Sequence, residues 1–135
     1  MNLLGEPVRL NNRNITEETC KKYRIFKYGD TLRFAYYSAD GRLLGAKIKT
    51  KDKQFKYDGE TDGCFFGQHL FPDHGRRVVI TEGELDAASC WEAMKGWEMV
   101  SLPNGAASAK KAIQKNLQWL QGYDEVCLFF DNDDA

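Results

Sequence analysis

The sequence predicts an α/β protein: a small, mostly antiparallel amino-terminal lobe followed by a parallel β-α-β-α-β core. Three observations carry this. Val78-Val79-Ile80 and Val126-Cys127-Leu128-Phe129-Phe130 are short apolar runs without alternation, the pattern of strands buried on both faces of a parallel sheet. Between them the period changes: Ala87, Cys90, Trp91 and Met94 recur at i, i+3, i+4, i+7, one face of a helix. Upstream, residues 24–57 hold short aromatic-rich or alternating runs broken at Gly29-Asp30 and Asp40-Gly41, which is hairpin patterning.

In order, residues 1–14 read as an irregular lead-in. Thr16-Glu17-Glu18 supplies an N-cap and first-turn acids for a short helix to about Lys22. Residues 24–28, 31–37 and 42–49 are expected strands, with a further one near 54–57. Residues 15–75 therefore form a basic α+β subdomain, closed by the breaker Pro72-Asp73-His74-Gly75, and residues 76–135 form the parallel core. In that core a strand at Val78-Val79-Ile80 turns at Glu82-Gly83 into the first helix. A short strand at 98–102, a helix near 107–121 and the strand at 126–130 follow. Right-handed crossovers make these strands parallel. The chain ends soon after the last strand, so the core is expected to be truncated at its carboxyl end, with an exposed apolar edge.

With 135 residues there is length for one domain or two small lobes with a real core. The formal net charge of −1 averages a basic middle and an acidic end. No apolar run approaches the roughly 20 residues of a membrane span, and the amino terminus lacks the basic and apolar segments of a signal peptide, so no membrane partner is expected. Cys20, Cys64, Cys90 and Cys127 form no Cys-x-x-Cys pair and read as reduced thiols. Cys64, His69 and His74 lack the four tightly paired ligands of structural zinc.

The chemistry concentrates at strand ends. Glu82 lies at the carboxyl end of a buried strand, the edge where open α/β sheets form ligand crevices. Gly83 after it allows a tight turn and leaves room for a ligand. Asp131 and Asp133 are two apart on an extended chain and can face one side. Three carboxylates meeting at one edge require a cation, so Glu82, Asp131 and Asp133 predict a divalent metal. Glu84 and Asp86 are adequately explained as first-turn acids, with Asp86 a candidate auxiliary. Pro103-Asn104-Gly105-Ala106 opens a helix and either offers backbone N–H groups to an anion or is a plain turn. In the basic middle, Lys47, Lys49, Lys51 and Lys53 share one parity. If the strand runs on they share a face, which is either a solvated edge or an attractor of polyanions.

Residues 78–86 (Val-Val-Ile-Thr-Glu-Gly-Glu-Leu-Asp), 101–106 (Ser-Leu-Pro-Asn-Gly-Ala) and 128–135 (Leu-Phe-Phe-Asp-Asn-Asp-Asp-Ala) resemble the three signatures of a Toprim domain. They are similar to the primase part of the primase-helicases of T7-like bacteriophages. The likeness includes residues 15–20, Lys47-Ile48-Lys49, Lys53-Gln54-Phe55-Lys56 and Phe66-Gly67-Gln68-His69-Leu70, so it covers most of the chain. It implies a DNA-dependent RNA primase that makes short primers for phage replication by metal-dependent nucleotidyl transfer. Glu82, Asp131 and Asp133 would be catalytic and would hold Mg2+, for which Mn2+ could substitute. Glu82 would be a ligand or the general base. Lys47 and Lys53, with Lys49 and Lys56 as weaker candidates, would contact nucleotide or DNA phosphates, and Asp86, Gly83 and Gly105 would be auxiliary.

The resemblance also implies the partners: a single-stranded DNA template, ribonucleoside triphosphates, and a helicase domain and a zinc-binding module in the parent protein. The setting would be the cytoplasm of the infected bacterial host. The isolated fragment is expected to be inactive. Position 134 is aspartate where the T7-type motif has glutamate. A Toprim nuclease hydrolysing phosphodiesters, and a non-catalytic nucleic-acid-binding module, are the alternatives. A dinucleotide-binding fold is disfavoured because no Gly-x-Gly-x-x-Gly follows the first parallel strand.

Overall fold

The computed structural model describes residues 4–61 and 63–130. Thr16 has an extended backbone and its hydroxyl accepts the Thr19 N–H at 3.2 Å, opening helix α1 (Glu17–Tyr23). The helix stops at Arg24, which takes the left-handed conformation at φ 64°. Strands β1 (Ile25–Tyr28), β2 (Thr31–Tyr37), β3 (Leu43–Lys49) and β4 (Phe55–Gly59) then form an antiparallel sheet in sequence order. Its registers place Lys47 opposite both Phe34 and Tyr57, and Lys49 opposite Phe55. All of β4 is exposed, as suits an edge strand.

The second sheet is parallel, in the order β6-β5-β7, with β5 (Gly75–Thr81) between β6 (Glu98–Ser101) and β7 (Tyr123–Phe129). Thr81 pairs with Ser101 on one side and Phe129 on the other, so the three strands finish level. Burial follows the strand period of two. Val79 enters a core with Tyr23, Phe34, Tyr36, Phe66, Ala87 and Met99. Val78 and Ile80 enter a second core with Phe65, Val100, Leu102, Trp119 and Tyr123. The central strand is thus buried on both faces, as its unbroken apolar run predicts. The first core draws on both sheets and on α1, so the antiparallel lobe packs directly on one face of the parallel sheet. Tyr23 fastens the two: its buried hydroxyl donates to the Met99 carbonyl at 2.7 Å, and its ring stacks on Phe66 at 5.7 Å.

Local departures from the sequence reading have physical causes. Helix α2 spans Glu84–Ala93 and buries Glu84, Ala87 and Ala88, with Trp91 and Cys90 partly buried. Met94 lies past its end and is exposed. The single helix expected over 107–121 is three pieces: a 3-10 turn at Ala106–Ser108, α3 (Ala109–Lys115) and α4 (Leu117–Gln121). Asn116 makes the break. Its side-chain amide donates to the Ala112 carbonyl at 2.9 Å and to Gly63 at 3.3 Å, competing with the helix's own bonds. The break turns Leu117 outward and Trp119 inward. The lysine face is shorter than parity suggested, because β3 ends at Lys49 and Lys53 sits in the following turn at φ 63°. Val126, Leu128 and Phe129 are exposed on β7, an edge strand of the described sheet. All four cysteines are free, and no helix among the described residues is long and apolar enough to cross a membrane.

A carboxylate near the end of α2 ties that helix to α1. Glu92 accepts the Thr16 backbone N–H at 2.6 Å and the Thr16 hydroxyl at 2.5 Å. Desolvation opposes its ionisation, but hydrogen bonds from Thr16 and Thr19 outweigh it and hold the carboxyl at about 2, below its ordinary 4.5. An acid depressed in the folded state stabilises the fold above its unfolded value and loses that contribution as pH falls through the folded one. Stability is therefore expected to drop between pH 4.5 and about 2 through this group, and Glu92→Gln should flatten that stretch of the profile. Urea melts at stepped pH measure it; an unaltered slope in the variant would show that the Thr16 contact contributes nothing.

Candidate active site

The end of β5 is pinned before the functional residues begin. The Thr81 hydroxyl is within hydrogen-bonding distance of two carbonyls, Gly83 at 3.0 Å and Val100 at 3.3 Å. Glu82 follows at the edge of the sheet, partly exposed, and Gly83 caps α2 without a side-chain bond. Gly83 has φ −122°, ordinary extended backbone, so the tight-turn reason expected for it does not hold. The reason is space: a Cβ there would stand 3.3 Å from the Asp86 carboxylate. Gly105 does use its freedom, with φ 67° in the loop after β6.

Behind Glu82 lies a buried charged network. Glu84 and Lys47 are each only 5% exposed. Lys47 Nζ is 3.0 Å from Glu84 Oε2 and 3.4 Å from Oε1, and it donates to the Pro103 carbonyl at 3.1 Å. The hydroxyl of fully buried Tyr36 donates to the same Glu84 carboxylate. Burial, and then the neighbouring Glu84 charge, push the Tyr36 phenol well above its ordinary value, so it stays a donor. Phe55 closes the outer side, with Lys47 Nζ 4.4 Å from its ring centroid. The network joins β2, β3, the start of α2 and the loop after β6.

In front of the network is an open pocket of about 300 Å³, lined by Glu82, Asp86, Lys47, Phe55, Tyr57 and Gly105 among others. A neighbouring hollow shares Gly83, Asp86 and Phe55 and adds Lys49 and Arg13. Arg13 lies 3.8 Å from Asp86. Desolvation first, then the charges of Arg13 and Lys53, lower the Lys49 amine from its ordinary value.

Of the residues singled out from sequence, Glu82, Gly83, Asp86, Gly105, Lys47 and Lys49 converge on these two hollows. Lys53 and Lys56 stand on the turn and edge strand beyond, outside the lining of both. Asp131 and Asp133 lie outside the described residues. From sequence Glu84 is explained as a helix-start acid, and its role in the network with Tyr36 is missed. A signal existed: Glu84 precedes Ala87, Ala88 and Trp91 at i+3, i+4 and i+7, so it heads the buried helical face, and a buried carboxylate needs a cation.

Among the described residues no group of three His, Cys, Asp or Glu side chains could hold a metal ion. The Cys64, His69 and His74 trio is not assembled: His74 lies against Asp73 and His69 against the Tyr37 ring. Glu82 fits the part of one ligand. Its carboxylate lines the open pocket and has no salt-bridge or side-chain hydrogen-bond partner among the described residues, and carboxylate oxygen suits a hard divalent cation.

The profile of the Toprim-like family matches residues 79–135. The DNA helicase/primase of enterobacteria phage T3 is 35% identical over 133 residues, covering 93% of this chain and 23% of that protein. The chain thus spans less than a quarter of that relative. The crystal structure of the primase fragment of the bacteriophage T7 primase-helicase superposes with a TM-score of 0.86 at 32% identity, over 96% of this chain and 56% of that one. The same values of TM-score and identity relate it to a T7 primase domain solved with the lagging-strand DNA polymerase, an RNA/DNA hybrid and dTTP, where it covers 69% of the matched chain.

Removing one partner of a buried pair strands the other charge. Lys47→Met is expected to cost about 3–5 kcal/mol, and Lys47→Met combined with Glu84→Leu should recover most of it. Denaturant melts of the three proteins test this. A single variant as stable as its parent would mean that the Glu84 carboxylate is rehydrated and not held dry.

Proposed function

The chain belongs to the Toprim family, in the form carried by the primase part of T7-type phage primase-helicases, and from that premise we propose that it is the catalytic portion of a DNA-dependent RNA primase. The observation that carries this is Glu82: a carboxylate without a partner among the described residues, at the end of a buried parallel strand, facing a pocket that also holds lysine. The substrates are ribonucleoside triphosphates on a single-stranded DNA template. The parent protein would add a helicase domain and a zinc-binding module, and it would act in the cytoplasm of an infected bacterium.

Toprim domains work with divalent cations, and Mg2+, with Mn2+ as substitute, is the ion proposed here. Asp131 and Asp133 would hold it, with Glu82 as a further ligand or as the base. When bound, such an ion polarises the reacting phosphate and neutralises charge on the attacking and leaving oxygens. The 3′-hydroxyl of one ribonucleotide attacks the α-phosphate of the next, a phosphodiester bond forms, pyrophosphate leaves and the hydroxyl proton passes to a base. The protein's own part is positioning. The pocket orients the nucleotide beside Glu82, and Lys49 supplies positive charge from the neighbouring hollow. Lys47 adds charge from within, already anchored by Glu84. Lys53 and Lys56, outside the pocket, are placed to meet the template backbone. Gly105 leaves the loop after β6 open toward the substrate, and Asp86 is an auxiliary acid held by Arg13.

In a primase carrying this sequence, Glu82→Gln should abolish template-dependent dinucleotide formation while DNA binding stays within about twofold. Lys53→Ala should weaken template binding and reduce its salt slope by roughly one counterion per lost phosphate contact. Radiolabelled ribonucleotide incorporation and salt-titrated binding measure these. Wild-type synthesis by Glu82→Gln would reduce Glu82 to a helix-start acid, and cut DNA in place of primers would assign the nuclease reading.

A further inference from the structure

The edge strand β4 carries two aromatic rings that stand outside both hydrophobic cores. Phe55 and Tyr57 are 46% and 51% exposed, on a strand whose every residue is exposed. Exposure of single apolar residues is normal, but these two are not scattered. They are two apart, so they share a face, and they stand opposite Lys49 and Lys47 across the β3–β4 ladder. Directly opposed residues project to the same side. The result is a face of two rings with Lys49 beside them and the buried Lys47 amine beneath Phe55, and both rings line the pocket that holds Glu82.

Each ring is also held. The Tyr57 hydroxyl donates to Asn104 Oδ1 at 3.0 Å, tying β4 to the loop after β6. Phe55 is braced by Lys47 Nζ at 4.4 Å from its centroid. Aromatic faces beside amines are the arrangement that binds single-stranded nucleic acid and its nucleotides: the ring takes the base and the amine takes the phosphate. The pocket's volume of about 300 Å³ lies at the lower end of small-ligand sites, enough for part of a nucleotide with the remainder exposed.

We propose that Phe55 and Tyr57 form a base-stacking wall of the catalytic pocket, placing a nucleobase against β4 with its phosphates toward Lys49. This deepens the primase reading by assigning the surface that receives the base, and it rests on that reading for the identity of the nucleotide. Stacking is indifferent to base identity, since every base has a π face, so the wall positions and does not select. The base comes from an incoming ribonucleotide or from the template strand, and the experiment separates these.

The probe is 2-aminopurine, whose fluorescence falls on stacking. One arm uses its ribonucleoside triphosphate with Mg2+, the other a short single-stranded DNA with one 2-aminopurine. The chain, Phe55→Leu, Tyr57→Leu and Tyr57→Phe are compared, with circular dichroism melts confirming the fold. The native chain and Tyr57→Phe should quench the probe. Phe55→Leu and Tyr57→Leu should lose the quench and bind about fivefold to a hundredfold more weakly, and the arm in which this occurs names the source of the base. Native-like quenching in both leucine variants, or none by the native chain in either arm, would overturn the wall. The primase reading is decided separately by primer synthesis in the parent protein: a chain that quenches but whose parent makes no primers keeps the wall and loses the reaction.

Discussion

The buried pair of Lys47 and Glu84 is the interaction on which the site depends. Two opposite charges withdrawn from water gain little net stability over an apolar substitute, because desolvation cancels most of the attraction. What such a pair does supply is geometry. Lys47 belongs to the antiparallel sheet and Glu84 to the first turn of α2, while Pro103 and Tyr36 complete the bonding from the loop after β6 and from β2. Four segments distant in sequence must therefore arrive in one arrangement or leave a charge unpaired. The residue immediately before this turn is Gly83, and before that Glu82. The carboxylate assigned to the chemistry is fixed by a neighbour two positions on that never needs to touch substrate.

The same logic explains how the two sheets meet. An antiparallel lobe and a parallel core could be independent bodies joined by a linker. Here they share side chains: Tyr23, Phe34, Tyr36 and Phe66 pack with Val79, Ala87 and Met99. Phe66 touches three of these rings, at 5.4 to 5.8 Å between centroids, and its backbone bonds in both directions with Ser101 at the end of β6. Gly67 has φ 87°, and a Cβ on it would meet the Tyr23 ring at 2.7 Å, so the chain can pass this close only as glycine. The connection between the lobes is built into the core and not strung between domains.

The sequence was most legible where one physical demand dominates. Val78, Val79 and Ile80 are apolar without alternation because both faces of β5 are covered, and that reading leads directly to the parallel sheet and to Glu82 at its end. Thr16 and the aromatic runs of β1 and β2 were legible for the same reason, since capping and alternation are local. The failures came where a local signal is overruled from a distance. Asn116 sits on a helical face by spacing, but its amide reaches Gly63, 53 residues earlier, and the helix breaks. Lys51 and Lys53 have the parity of Lys47, yet parity has meaning only while the strand continues, and β3 ends at Lys49. Glu84 looked like any acid in a first helical turn, and only the pairing of β3 against α2 shows that its charge is buried. Asp131 and Asp133 were legible as a motif and lie outside the described residues.

The charges around the pocket then divide into those already balanced and those that are not. Glu84 is matched by Lys47, and Asp86 by Arg13. Among the described residues this leaves Glu82 without a cation and Lys49 without a salt bridge, on adjoining walls that share Gly83. A carboxylate and an amine that do not close on each other, and that have no salt-bridge partner among the described residues, suit a ligand carrying both signs. A free anion would satisfy Lys49 and be repelled by Glu82; a free cation would meet the opposite conflict. The nucleoside triphosphate and divalent ion proposed above would satisfy both, placing positive charge at the carboxylate and negative charge at the amine, with the base against the exposed rings of β4. The arrangement of partners among the described residues is thus consistent with the metal-bound nucleotide proposed above.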